Sequence, residues 1–295
     1  MTESDLLQFL RTVSLHPGAR DLRDDAAVVA GLVFTTDTLV EGVHFLPSDP
    51  PEDVAWKLLA VNLSDLAAKG AEPEGVLLNY PLRDPDWDRA FFDGFREALT
   101  AHACPLIGGD TVTLPPNAPR VLTLTALGRN AAAPSRTGAR AGDLLWVTGT
   151  IGDAGAGLAI AKGEPGPPEL LQAYRRPTPR LREGRLLAPH VHAMSDVSDG
   201  LLIDAARMAE TSDLAVTVEL DRVPLSPAYR AHSGDPLAAA TAGDDYQLLF
   251  AAPPGFEPPV PACPVGAFAP GSGLTLTRDG EPVPLPARLG YEHGG

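Results

Sequence analysis

Apolar positions along the chain fall into two periods. Leu6 to Val13 has the spacing of an amphipathic helix, whereas Leu32 to Thr36 is a strand-like run that ends on Asp37. Pro51, Glu52 and Asp53 make a helix start and Gly70 a stop, which predicts a helix from about Pro51 to Lys69. Between Leu58 and Lys69 its only polar residues are Asn62, Ser64 and Asp65. A helix apolar nearly all round is buried, so Asp65 is not a casual surface charge. A second helix is predicted around Trp87 to His102, then the short run Pro105 to Ile107 leading into a GGDT turn, and a strand over Val121 to Leu127.

The stretch from Asn130 to Arg140, NAAAPSRTGAR, is small, polar and turn-rich, and reads as a linker. Placing the boundary near Ala133 gives domains over 1–133 and 134–295. Beyond it come a strand at Leu144 to Val147, the glycine loop TGTIGDAGAG and a helix over Ala154 to Lys162. A helical stretch over Glu169 to Ala188 and strands at Ala215 to Leu220 and Tyr246 to Ala251 follow. Alternating strands and helices predict an α/β fold built of α+β layers. A chain of 295 residues suits two domains, each able to bury a core.

A formal net charge of −15 argues against nucleic acid and anionic membrane as partners. Cys104 and Cys263 are far apart and form no zinc-type or disulfide spacing. No stretch is apolar for long enough to cross a bilayer, and the start MTESDLLQFL lacks a basic leader, so the expected location is cytoplasmic.

Five acidic stretches remain, DDAA at Asp24, TTDT at Thr35, NLSD at Asn62, GGDT at Gly108 and SDVSDG at Ser195, set among apolar residues with almost no lysine nearby. Buried aspartates on this scale need a cation, and Mg²⁺ typically shares carboxylates with substrate phosphates. Asp24 and Asp25 precede an apolar run, where the alternative is a solvated turn. Thr35 and Thr36 add hydroxyl or carbonyl oxygens beside Asp37, with a simple Asx turn as the competing reading. Ser198 is a good N-cap, and Asp196 and Asp199 bracket the same helix start, whose amides suit a phosphate. The glycine loop does not fit GxGxxG, and a Walker A lysine, a GxSxG elbow and an HExxH helix are all absent. His44 earns a place only by following TTDT at short range.

Taken in order, DDAA, TTDTLVEGVHF, VNLSDLAAKGA, LIGGDT, SRTGARAGD, VTGTIGDAGAGL, SDVSDGL and GDDYQLLF resemble the thiamine-monophosphate kinase family, which belongs with the aminoimidazole ribonucleotide synthetase-like ATP-dependent enzymes. Aminoimidazole ribonucleotide synthetase itself, sharing the architecture, is the alternative. The resemblance implies ATP and thiamine monophosphate as substrates, several Mg²⁺ ions, and a homodimer in which the N-terminal domains join their sheets. It implies metal-binding positions at Asp25, Thr35, Thr36, Asp37, Asp65, Asp110, Asp196 and Asp199, with Asp37, Asp65, Asp110 and Asp199 the catalytic set. It also implies nucleotide contacts at Gly109, Asp110, Arg136 and Ser198, and thiamine contacts at His44, Asp244 and Tyr291. Asp244 stands where the family often has glutamate, one methylene longer. A phosphate monoester is already largely anionic at neutral pH, so the expected reaction is direct in-line transfer with no protein base.

Overall fold

The structure, a computed structural model, describes residues 3–115 and 117–292. In chain order the first half contains α1 (Glu3–Leu10), β1 (Ala27–Val29), β2 (Leu32–Val40), α2 (Pro51–Ala68), β3 (Glu72–Leu82), α3 (Pro85–Ala101), β4 (Leu106–Thr113) and β5 (Val121–Arg129). The second half contains β6 (Leu144–Thr148), α4 (Asp153–Ala161), α5 (Pro168–Arg175), α6 (Leu181–Leu187), β7 (Ala193–Asp196), α7 (Leu201–Thr211) and β8 (Leu214–Glu219). It continues through α8 (Pro227–His232), α9 (Pro236–Thr241), β9 (Leu248–Ala252), β10 (Ala262–Pro270), β11 (Gly273–Arg278) and β12 (Glu281–Val283). The fold is thus mixed α/β with a separate sheet in each half.

The first sheet runs β1-β2-β5-β3-β4, antiparallel except for the parallel β3/β4 pair. Its three central strands alternate: Val33, Leu39, Leu122, Leu124, Ala126, Val76 and Leu78 are buried beneath helices, whereas Thr36, Thr38, Leu77 and Asn79 on the other face are exposed. The second sheet runs β12-β11-β8-β10-β6-β9-β7, with β11/β8 parallel.

Helix α2 is buried all round because it lies between the halves. One side packs on the first sheet, through Leu58, Leu59 and Leu63, and Ala67 and Ala68 pack with Leu187, Met194 and Leu248 of the second half. The helical stretch predicted over Glu169 to Ala188 consists of two helices, α5 and α6, separated where Pro177 and Pro179 remove amide donors and restrict their neighbours. The break is used: Trp56 on α2 donates its indole N–H to the Pro177 carbonyl at 3.0 Å, and Arg176 pairs with Asp53 at 2.5 Å. These contacts fix the second half against α2, which carries Asp65.

Two further expectations change. Asp37 lies inside β2, which continues to Val40, and GGDT lies inside β4 as extended strand. In both cases pairing with a neighbouring strand extends the element past residues of weak strand propensity.

Candidate functional site

A cavity of about 940 Å³ opens where the halves meet, walled by Asp37, His44 and Asp65 from the first half and by Asp196, Ser198, Asp199, Asp244 and Tyr291 from the second. Strand alternation turns Thr35 and Asp37 toward α2, and the helix turns Asp65 back toward them. Carboxylate oxygens of Asp25, Asp65 and Asp196 come within 4.8 Å of one another. Thr35 Oγ1 donates to Asp65, and Ser64 Oγ donates to Asp196 at 2.6 Å. Three of the acidic stretches, remote in sequence, thus converge at the end of β7.

Burial and mutual repulsion set the protonation of this cluster. Burial first, then the Asp37, Asp196 and Asp25 carboxylates, push Asp65 well above the usual carboxylate range, against the pull of the Thr35 hydroxyl. Burial and Asp25 raise Asp37 to about 6, and burial followed by Asp25 raises Asp196 to about 8. Such a cluster, left ionised, is a strong site for a cation.

Asp24 and Asp25 divide their labour. Lys69 Nζ, fully buried, pairs with both and donates to the Met194 carbonyl at 3.0 Å. Asp24 also accepts from Arg20 at 2.5 Å and from Ser135 Oγ at 2.9 Å. Burial works to raise Asp24, but Lys69 and then Arg20 outweigh it and hold the group at about 2. Asp24 is thereby a structural anion, whereas Asp25 faces the cluster with Arg136 bonded to it. The sequence reading of almost no lysine near the acidic stretches does not hold: Lys69, the C-cap residue of α2, meets Asp24 and Asp25, a pairing that only the fold brings together.

The SDVSDG segment departs from its expected capping. α7 starts at Leu201 with Gly200 at its N-cap, so Ser198 precedes the cap position and makes no capping bond. Asp204 in the first turn accepts the amides of Ser198, Asp199 and Gly200 at 3.1–3.2 Å, which occupies the donors expected for a phosphate. Asp199 is ion-paired with Arg207 and borders the cavity outside the three-carboxylate cluster. Asp204, missed from sequence because it reads as an ordinary helical residue, shapes this loop. Burial, then Asp199, raises it to about 6 against the pull of Arg207 and Arg136.

Three expected residues are not gathered. Asp110 and Gly109 lie on β4, at the sheet edge; Asn79 pairs with Asp110, so Asp110 shares the open face with Asn79, opposite to the face of Asp37. Two strands separate β4 from β2, or roughly 14 Å at the usual strand spacing. Thr36 likewise faces the open side, its hydroxyl engaged by the Leu124 carbonyl at 3.2 Å and by Thr125 at 3.0 Å, so it offers the cluster only backbone oxygen.

On the far wall, His44 Nδ1 accepts the Val40 amide at 3.0 Å, which puts the proton of the neutral ring on Nε2. Asp244 is bonded to Lys57 at 2.7 Å and to the Tyr246 hydroxyl at 2.9 Å. Tyr291 borders the same cavity, its amide donating to the Asp199 carbonyl at 2.9 Å.

Comparison with known proteins fits this arrangement. Residues 23–130 match the family "AIR synthase related protein, N-terminal domain" and residues 140–263 its C-terminal counterpart. The chain is 38% identical to thiamine-monophosphate kinase of Caulobacter vibrioides, over 94% of this chain and 86% of that protein. It is 38% identical to the Escherichia coli K12 protein of the same name, over 89% and 86%. A solved structure of AaThiL complexed with AMPPCP and TMP superimposes with a TM-score of 0.86 at 30% identity, covering 99% of this chain and 97% of that one. Thiamine-monophosphate kinase from Stenotrophomonas maltophilia superimposes with a TM-score of 0.77 at 36% identity, over 95% and 96%. With both domains present and similarity running through nearly its whole length, the chain belongs to the thiamine-monophosphate kinase family of enzymes.

Proposed function

We propose that this chain catalyses transfer of the γ-phosphoryl group of ATP to thiamine monophosphate, giving ADP and thiamine diphosphate. The observation that carries the reading is the convergence of Asp25, Asp65 and Asp196, with Asp37 alongside, on a cavity large enough for two phosphorylated molecules. All donors are hard oxygens and three of the carboxylates are raised by burial and then by mutual repulsion, which fits Mg²⁺ held by Asp25, Asp37, Asp65 and Asp196. Bound Mg²⁺ would screen the two phosphate groups from each other and stabilise charge on the transferring group.

The chain itself supplies placement. Lys69 and Arg136 pair with Asp25 and orient it, and Thr35 and Ser64 fix the rotamers of Asp65 and Asp196. The acceptor phosphate serves as nucleophile in an in-line displacement, its oxygen forming the new bond as ADP leaves; the cluster, all carboxylates meant for a cation, provides no base and needs none. His44, Asp244 and Tyr291 form the wall assigned to the thiamine moiety. Release of ADP that depends on thiamine monophosphate, followed in a coupled assay, tests the reaction. Retention of configuration at a chiral γ-phosphate would overturn direct transfer.

We also place the enzyme in the cytoplasm, and in a homodimer formed through the open face of the first sheet. Leu106, Ile107 and Val112 are exposed on β4, with Leu77 beside them. In this arrangement Asp110, on that face, serves the site of the other copy. Mixing Asp65→Asn with Asp110→Asn subunits then restores activity that neither homodimer has; no restoration rejects sharing of Asp110.

A further inference from the structure

Lys57, on α2, stands behind the thiamine wall with its side chain only 3% exposed. Its ammonium group has three protons, and three acceptors surround it: Asp244 Oδ2 at 2.7 Å, the His44 carbonyl at 3.2 Å, and the face of the Tyr174 ring, with the centroid at 4.2 Å. Tyr174 is itself tied by its hydroxyl to Asp49 at 2.8 Å. The cation therefore has one seat, fixed from both halves of the chain.

Asp244 depends on that seat. Its backbone is in the left-handed region at φ 68°, uncommon for a residue with a side chain, and it lies in a segment without helix or strand between α9 and β9. Its carboxylate is 32% exposed on the cavity wall, with Lys57 on one oxygen and the Tyr246 hydroxyl at 2.9 Å on the other. Two donors on two oxygens set the plane of the carboxylate while its remaining lone pairs stay directed to the cavity. The same ammonium grips the backbone of His44, another polar residue on this wall, so one side chain sets the separation of two groups that face the substrate.

We infer that Lys57 is a positioning residue for the acceptor subsite: it orients Asp244 and His44 toward the thiamine moiety and takes no part in the phosphoryl transfer. This deepens the reading given under Proposed function and rests on it. The pairing also cancels the charge of Asp244, so recognition there rests on directed hydrogen bonds from the ligand rather than on net attraction for the thiazolium cation.

The test is steady-state kinetics on the full-length enzyme with thiamine monophosphate and ATP varied separately. The wild type is measured first: if it releases no ADP in response to thiamine monophosphate, the functional reading fails, independently of Lys57. Given an active wild type, Lys57→Met is expected to raise KM for thiamine monophosphate by about tenfold or more, the scale of a lost charge-assisted hydrogen bond, with kcat changed less than about threefold and KM for ATP unchanged. Adding Lys57→Met to Asp244→Asn should then cost less than the two single effects combined, because both share the Asp244 carboxylate and only the part that acts through His44 remains. A wild-type KM for thiamine monophosphate in Lys57→Met, equal changes in both KM values, or additive effects in the double variant would each overturn the inference. If the methionine variant is insoluble, Lys57→Arg keeps the charge but displaces the donors; at least a threefold rise in KM for thiamine monophosphate alone supports the inference, and wild-type kinetics refute it.

Discussion

Replacing Asp65 by asparagine should make the metal-free protein more stable and the enzyme inactive. Asp65 is half-buried at the cavity wall, and its oxygens lie within 4.8 Å of those of Asp25 and Asp196. Lys69 and Arg136 compensate Asp25, so the repulsion relieved is that with Asp37 and then Asp196, and the Asp196 part alone sets a lower bound. Two unit charges separated by 4.8 Å repel by about 3.5 kcal/mol at an effective dielectric of about 20. The amide oxygen of asparagine still accepts from Thr35, so little is lost in return. For a chain of 295 residues the unfolding entropy is about 0.6 kcal/mol/K, which converts the gain into a rise in Tm of about 6 °C. The measurement is thermal unfolding in EDTA at about pH 9, where Asp196, raised to about 8, is ionised. Turnover at saturating Mg²⁺ is expected to fall by about a hundredfold or more if Asp65 is the cation ligand proposed above. A folded variant whose Tm in EDTA is unchanged or lower would refute the repulsion argument, and near-wild-type turnover would refute the cation assignment.

The same charges predict a pH dependence. Asp37 and Asp196 are raised to about 6 and about 8, so the folded protein binds more protons than the unfolded chain above about pH 4, and without metal its stability falls as pH rises toward 8. Mg²⁺ should therefore raise Tm more at pH 8.5 than at pH 6; an equal increment at both refutes this. Asp24, held at about 2, contributes the opposite dependence at lower pH, stability that is complete above about pH 4 and lost as pH falls toward 2. Ile107→Asp, on the exposed β4 edge, should convert a dimer to monomers in light scattering while leaving the far-ultraviolet spectrum intact; a dimer that persists excludes this face. Gly184→Ala should lower stability by about 3 kcal/mol in denaturant titration, because the added Cβ would sit 2.0 Å from the Ala67 carbonyl oxygen where α6 crosses α2; a wild-type midpoint would show that the helices can part freely.

Much of the site was legible in the residue order. The apolar surround of Asp65 required burial, and a buried carboxylate required a partner, which holds whatever the fold. The layered α/β class followed from the alternation of strand-like runs with helical periods, and the resemblance carried by NLSDLAAKGA and TTDTLVEGVHF pointed to the family to which the chain belongs. Long-range geometry was out of reach. Whether Asp24 or Asp25 faces the cluster depends on where Lys69 arrives from the end of α2, and the end of β2 depends on its pairing with β5. The true cap of the SDVSDG loop is Asp204, six residues after Ser198, a choice made by how α7 packs. The register of β4 on β3 turns Asp110 to the open face, away from its expected companions. The sequence by itself determined which residues are costly to bury and hence which chemistry they demand, because that is a local property of side chain and surround. Only the tertiary structure decided which of them share a site and which cation holds each one, because those are distances between segments that the chain brings together by folding.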